Sequence, residues 1–164
     1  GQLYWWSIPG FVYVVDIMEK RLEKAMELGA TAVINGAKED VAARIRQLTE
    51  GAGCDLAIET AGTEITTRQA IDVVKKGSNI VLVGYSKSGE MTLPMSKALD
   101  KELTFKTIFR YRHIYPLAIE AVAQGKVNLK GIVTNVFDLD DIQNAMDSSV
   151  KNKADIVKAV VKIH

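Results

Sequence analysis

The sequence predicts an α/β fold: a doubly wound parallel sheet followed by a small α+β segment. Three observations carry that expectation. Between Phe11 and Gly84, short β-branched runs alternate with amphipathic stretches, and strands separated by helices of about 10–15 residues make βαβ units with right-handed crossovers. The run SNIVLVG, Ser78 to Gly84, is apolar through its centre, as in a strand covered on both faces. Near Arg110 the rhythm changes, and residues 111–164 read as helix, strand, helix and strand in a different spacing.

The elements follow in order. FVYVVD, Phe11 to Asp16, is β-branched and aromatic and reads as a buried strand. The following helix places Ile17, Leu22, Ala25, Met26 and Leu28 on one face, with Gly29 as its stop. TAVIN is a second strand, and a helix over 38–50 carries Val41, Ala42, Ile45 and Leu48 on its apolar stripe. CDLAIET is a third strand. Ala61-Gly62 then turns the chain into a helix over 64–76, closed by Gly77. SNIVLVG is the fourth strand. Residues 85–101, with Gly89 and Pro94, read as a loop with a short extended piece. Leu103, Phe105, Thr107 and Phe109 then alternate with polar neighbours as an edge strand. Beyond Arg110, an apolar helix over 114–125 ends at Gly125 and IVTNVF is extended. A helix near 139–151 has Asp138 as N-cap, and DIVKAVVKI is an alternating strand.

Composition narrows the function classes. The 164 residues include 21 basic and 20 acidic side chains, 48% hydrophobics and 25% charged residues, the balance of an ordinary globular protein. A net charge of +1 offers no field to recruit nucleic acid or an anionic membrane. No apolar run approaches the roughly 18 residues of a membrane span. GQLYWWSIPG has no positive side chain to begin a signal segment. A single cysteine excludes an internal disulfide and fits a reducing, cytoplasmic setting.

Asp16 is the most informative residue. An acid ending the second strand of a doubly wound dinucleotide-binding fold accepts hydrogen bonds from the adenosine ribose and repels a 2′-phosphate, favouring NAD over NADP. It can equally cap a helix starting at Ile17. Arg21 has a plain alternative as the partner of a nearby helix acid, and Gly62, Gly77 and Gly84 as ordinary turn residues.

VYVVDIMEKRLEKAMELGATAVIN, IETAGTE, IVLVG and IFRY, in this order, resemble the zinc-dependent medium-chain dehydrogenases, and among them the sorbitol and related polyol dehydrogenases. The resemblance runs from Phe11 to Ile163, and D-x-x-x-x-R with a later F-R-Y is its most specific part. It implies a Rossmann-type NAD domain over 11–110 and a return segment of the catalytic domain over 111–164, after an atypical leader over 1–10. It further implies that Asp16 and Arg21 hold the adenosine ribose, that Thr60, Ala61 and Gly62 lie along the cofactor, and that Val83 and Gly84 pass under the nicotinamide. Phe109 would present backbone to the carboxamide, and Arg110 and Tyr111 would reach the substrate pocket.

Two parts of that pattern are missing. The G-x-G-x-x-G fingerprint belongs about 20 residues before the ribose acid, after a first strand. Only fifteen residues precede Asp16, with Gly1 and Gly10 as their glycines. The sheet is therefore expected to lack its first, central strand, leaving the strands at 11–16 and 31–35 on one side and those near 55–60, 80–84 and 103–109 on the other. LYWWSI could only pair antiparallel with FVYVVD across Pro9-Gly10, and a non-native or rearranged leader is expected. Zinc needs three protein ligands and an open position, whereas the chain offers Cys54, His113 and His164 without ligand spacing. Cys54 reads as an inert core thiol and His113 as a surface histidine.

The expectation is thus the C-terminal part of an NAD-dependent zinc polyol dehydrogenase, inactive alone, with no catalytic residue and no metal ligand of its own. The substrate of the intact enzyme would be a small polyol. Rival readings are a nucleotide-binding module without chemistry, and an interaction piece in which the Tyr85–Leu99 loop and the adjoining edge strand pair with a second copy.

Overall fold

The structure, a computed structural model, describes residues 10–110, 112–152 and 154–163. Leader residues 1–9, with the expected LYWWSI pairing, lie outside the described residues, as do Tyr111 and His164. The chain divides into two compact units. Among the described residues, one spans Asp40–Arg112, and the other joins residues 10–39 with those from His113 onwards.

The Asp40–Arg112 unit contains α2 (Val41–Leu48), β3 (Cys54–Glu59), α3 (Glu64–Val73), β4 (Val74–Leu82), α4 (Met95–Asp100) and β5 (Thr104–Thr107). Asp40 starts α2 by accepting the Ala43 amide at 2.8 Å, and the apolar spacing of the helix buries Val41 and Ile45. The strands form a parallel sheet in the order β3-β4-β5. Ile80 of β4 and Ile71 of α3 are wholly buried and pack with Ala70 and Val74, with Cys54, Ala57, Leu103 and Phe105 against them. Each such aliphatic side chain stabilises the fold by about 1.5–3 kcal/mol.

Three expectations change here. The third helix stops at Val73, and Val74 already belongs to β4, paired with Cys54 before the register shifts to Leu56↔Asn79. No glycine stop is needed, because the Lys101 ammonium donates to the carbonyls of Ile71, Asp72 and Val74 at 2.7–3.0 Å. Within 85–101, residues 95–100 are helical with Ala98 buried, a segment too short to show a 3.6-residue period. Finally, β5 ends at Thr107, leaving Phe109 beyond the strand and 75% exposed.

The other unit opens with β1 (Tyr13–Asp16), α1 (Glu19–Glu27) and β2 (Ala32–Asn35), a parallel βαβ unit in register from Tyr13↔Ala32 to Asp16↔Asn35. Leu22 is the buried residue of α1, whereas Ile17 and Met26, expected on the same apolar face, are exposed. The unit continues with α5 (Tyr115–Ala123), β6 (Asn135–Asp138), α6 (Ile142–Lys151) and β7 (Ala159–Lys162), the two strands pairing in parallel. Pro116 sits in the first turn of α5, where its missing N–H costs nothing. Asp138 does not cap the following helix with its side chain. A 3₁₀ turn over Leu139–Asp141 intervenes, and Asn144 Nδ2 donates to Asp141.

The fold is thus parallel α/β of Rossmann type, with the strands partitioned as the sequence predicts. Among the described residues β1 pairs only with β2, and β3 only with β4.

Candidate functional site at the strand C-termini

In open α/β sheets, ligands bind beyond the carboxyl ends of the strands. Every described candidate residue sits at or just past such an end, apart from Arg21 in the first turns of α1.

At the end of β1, Asp16 is partly buried. Its Oδ1 accepts the Ile17 and Met18 amides at 2.8 and 3.0 Å, and its Oδ2 lies 3.5 Å from Arg21 Nη1. The helix begins at Glu19 with Met18 as N-cap, so Asp16 orders the turn before α1 and is not the cap of a helix starting at Ile17. Arg21 is partnered by this strand-end acid and not by a helix acid, through a pair exposed enough to be weak. Beside it on β2, Asn35 is buried, accepts the Ala37 amide at 2.9 Å and donates to Glu19 at 2.6 Å. Hydrogen bonds from Lys38 and then Asn35 hold the Glu19 carboxyl below its ordinary range.

The other cluster gathers five of the expected residues. Thr60, Ala61 and Gly62 turn the chain from β3 into α3, whose N-cap Thr63 accepts the Thr66 amide. Val83 and Gly84, expected within the fourth strand, follow the end of β4 at Leu82, and both amides donate to the Glu59 carbonyl, at 2.8 and 3.1 Å. Gly62 has φ +70°, and a Cβ there would lie 2.5 Å from the Tyr85 carbonyl oxygen. A Cβ on Gly84 would lie 2.1 Å from the Gly62 nitrogen. The close approach that glycine permits is therefore loop backbone against loop backbone.

Residues 82–85 and 107–110 line a cleft of about 660 Å³. Phe109 tilts against Tyr85 with ring centroids 6.3 Å apart, and the Arg110 guanidinium lies 5.0 Å from the Phe109 centroid. Arg110 is exposed at the mouth, and Tyr111 lies outside the described residues.

The residue that the sequence reading missed is Glu59. It is 5% exposed, and its Oε1 accepts the amides of Ala61 at 2.8 Å and Gly62 at 2.9 Å and the Thr66 hydroxyl at 2.7 Å. Its signal was an acid ending an apolar strand immediately before a T-A-G turn.

Among the described residues no three His, Cys, Asp or Glu side chains are grouped to hold a metal ion. The described residues do not fit a zinc site. His113 is exposed, and burial, then Asp55, pushes the Cys54 thiol up, as for an unreactive cysteine.

The family model described as zinc-binding dehydrogenase matches residues 9–124. An uncharacterized zinc-type alcohol dehydrogenase-like protein of Escherichia coli is 46% identical over 93% of this chain and 43% of its own length. The sorbitol dehydrogenase of Bacillus subtilis is 34% identical over the same shares. A crystal structure of an Escherichia coli oxidoreductase/dehydrogenase of unknown specificity superposes with a TM-score of 0.86 at 45% identity, covering 94% of this chain and 44% of that one. The chain thus spans less than half the length of these relatives.

Proposed function

The chain belongs to the zinc-binding dehydrogenase family, and from that premise we propose that it is the C-terminal part of an NAD-dependent polyol dehydrogenase, inactive alone. The intact enzyme oxidises a secondary alcohol of a small polyol to a ketone. In this reading residues 11–110 make the cofactor domain, and 111–164 return to a catalytic domain whose zinc ligands lie outside this chain.

The observation that carries the reading is the Asp16 carboxylate. Its Oδ1 is committed to two backbone amides, while among the described residues Oδ2 faces only Arg21. That oxygen is oriented by a fixed turn and keeps acceptor capacity for ribose hydroxyls, and its charge opposes a 2′-phosphate. Arg21 steadies it. Thr60, Ala61 and Gly62 follow the cofactor along the end of β3, and Val83 and Gly84 run beneath its nicotinamide. The backbone of Phe109 serves the carboxamide, and Arg110 and Tyr111 reach toward substrate. Bound NAD supplies the hydride acceptor. The side chains here orient it and wall its pocket, and none holds a metal or moves a proton.

A second copy is proposed at β5, which pairs only with β4 among the described residues and is flanked by exposed Leu99 and Ile108. Light scattering at micromolar concentration is expected to show a dimer, and a monomer refutes this part. No helix among the described residues is long and apolar enough to cross a membrane, and a free Cys54 suits the cytoplasm.

Calorimetric titration with NAD and NADP, with zinc as a separate arm, tests the main reading. NAD binds and NADP does not, Asp16→Ala abolishes binding, and zinc gives no heat. A chain that binds neither nucleotide overturns the cofactor assignment.

A further inference from the structure

Glu59 does more than end a strand. Its backbone carbonyl receives the Val83 and Gly84 amides, and its carboxylate receives the Ala61 and Gly62 amides and the Thr66 hydroxyl. One residue therefore ties the β3–α3 turn to the end of β4 from both its main chain and its side chain.

The arrangement is costly, which is informative. Oε1 carries three donors, while Oε2 is buried and without a partner, and a buried carboxylate oxygen left bare forfeits its hydration. Oε2 also lies 2.7 Å from where a Gly84 Cβ would stand, so the carboxylate fills the space beside that glycine. An apolar side chain could occupy the volume, but it would leave the Ala61 and Gly62 amides without their acceptor, while the Thr66 hydroxyl would keep the Thr63 carbonyl at 3.1 Å.

We propose that Glu59 is a positioning residue of the cofactor site, a latch that fixes the Thr60–Gly62 turn against Val83–Gly84 so that both backbones present one preformed surface. The inference rests on the cofactor role proposed above for those two segments. The latch acts before any ligand arrives. Without it, binding must order the turn, and affinity falls by that ordering cost.

The test uses the full chain with Glu59→Ala and Glu59→Gln. Glutamine keeps an oxygen for the three donors, and alanine keeps none. Two quantities are read: amide hydrogen exchange by NMR in the ligand-free protein, and NAD affinity by calorimetry. In Glu59→Ala, exchange at Ala61 and Gly62 quickens about tenfold or more while the core amides of Ile71 and Ile80 stay within about twofold, and NAD binding weakens about tenfold. Glu59→Gln stays within about threefold of wild type on both. Uniform acceleration that includes the core amides would mean a merely structural role and overturns the proposal, as does unchanged exchange at Ala61 and Gly62. Wild-type binding with unaltered affinity in Glu59→Ala overturns the latch alone, whereas a wild-type chain that binds no NAD overturns the cofactor reading on which it rests. Should Glu59→Ala not fold, Thr66→Val removes one of the three donors from the half-buried surface of α3. Faster exchange at Gly62 then supports the latch, and unchanged exchange overturns it.

Discussion

Replacing Gly84 with alanine puts the loop contact to a quantitative test. The added Cβ would stand 2.1 Å from the Gly62 nitrogen, 2.6 Å from its Cα and 2.7 Å from Glu59 Oε2. Two of these atoms are backbone and cannot swing aside. Gly84 is not among the positive-φ glycines, so the penalty is steric and not conformational. Overpacking of this kind costs about 1–3 kcal/mol. Parting the loops also loosens the Val83 and Gly84 bonds to the Glu59 carbonyl, each contributing about 0.5–1.5 kcal/mol. A destabilisation of about 3 kcal/mol follows, lowering Tm by about 6–12 °C for a chain of this size. Gly89→Ala is the control: its φ is +77° and nothing lies within 4 Å, so only the left-handed backbone penalty of about 1 kcal/mol applies. Urea denaturation with a constant m value measures both variants. If Gly84→Ala costs no more than Gly89→Ala, the backbone-on-backbone contact is not what requires glycine there.

Asp16→Asn preserves an oxygen for the Ile17 and Met18 amides but removes the charge. NAD binding is expected to weaken about tenfold and NADP discrimination to relax, both read by calorimetry. Lys101→Met removes the ammonium from three carbonyls at the end of α3, at a cost of about 1–3 kcal/mol near neutral pH. Burial foremost, and then Lys97, lower the Lys101 pKa. The unfolded chain therefore holds more protons between the folded value and the ordinary value of about 10.4, and stability rises with pH across that window. Lys101→Met should flatten that alkaline rise in urea melts. Glu19 has the opposite sign: its lowered pKa contributes stability above the ordinary carboxylate value, lost as pH falls through the folded one. Glu19→Gln is expected to shrink the acid sensitivity of the melting temperature, and an unchanged acid limb would count against the Lys38–Asn35–Glu19 arrangement.

Several of these features were legible in the residues alone. The alternation of β-branched runs with amphipathic stretches located the five strands described within residues 10–110, because side-chain period follows backbone geometry. Asp16 could be singled out because an acid after an apolar strand has few roles. The helix at Met95–Asp100 was not legible, since six residues cover too little arc to display periodicity. Nor was the direct passage from α3 into β4, because the lysine that satisfies the helix carbonyls comes from 27–30 residues later in the chain.

The sequence by itself thus determined the alternation of strands and helices apart from Met95–Asp100 and the end of α3, the partition of the strands, the family, and the order of the candidate residues along the chain. Tertiary structure alone decided that Gly62 and Gly84 touch, that Phe109 leaves its strand to lie against Tyr85, and that Glu59 ties two loops together. The physical reason is the range of the interactions. Propensity and periodicity are written into neighbouring residues. A hydrogen bond or steric exclusion between the ends of β3 and β4 exists only after α3 has brought them side by side.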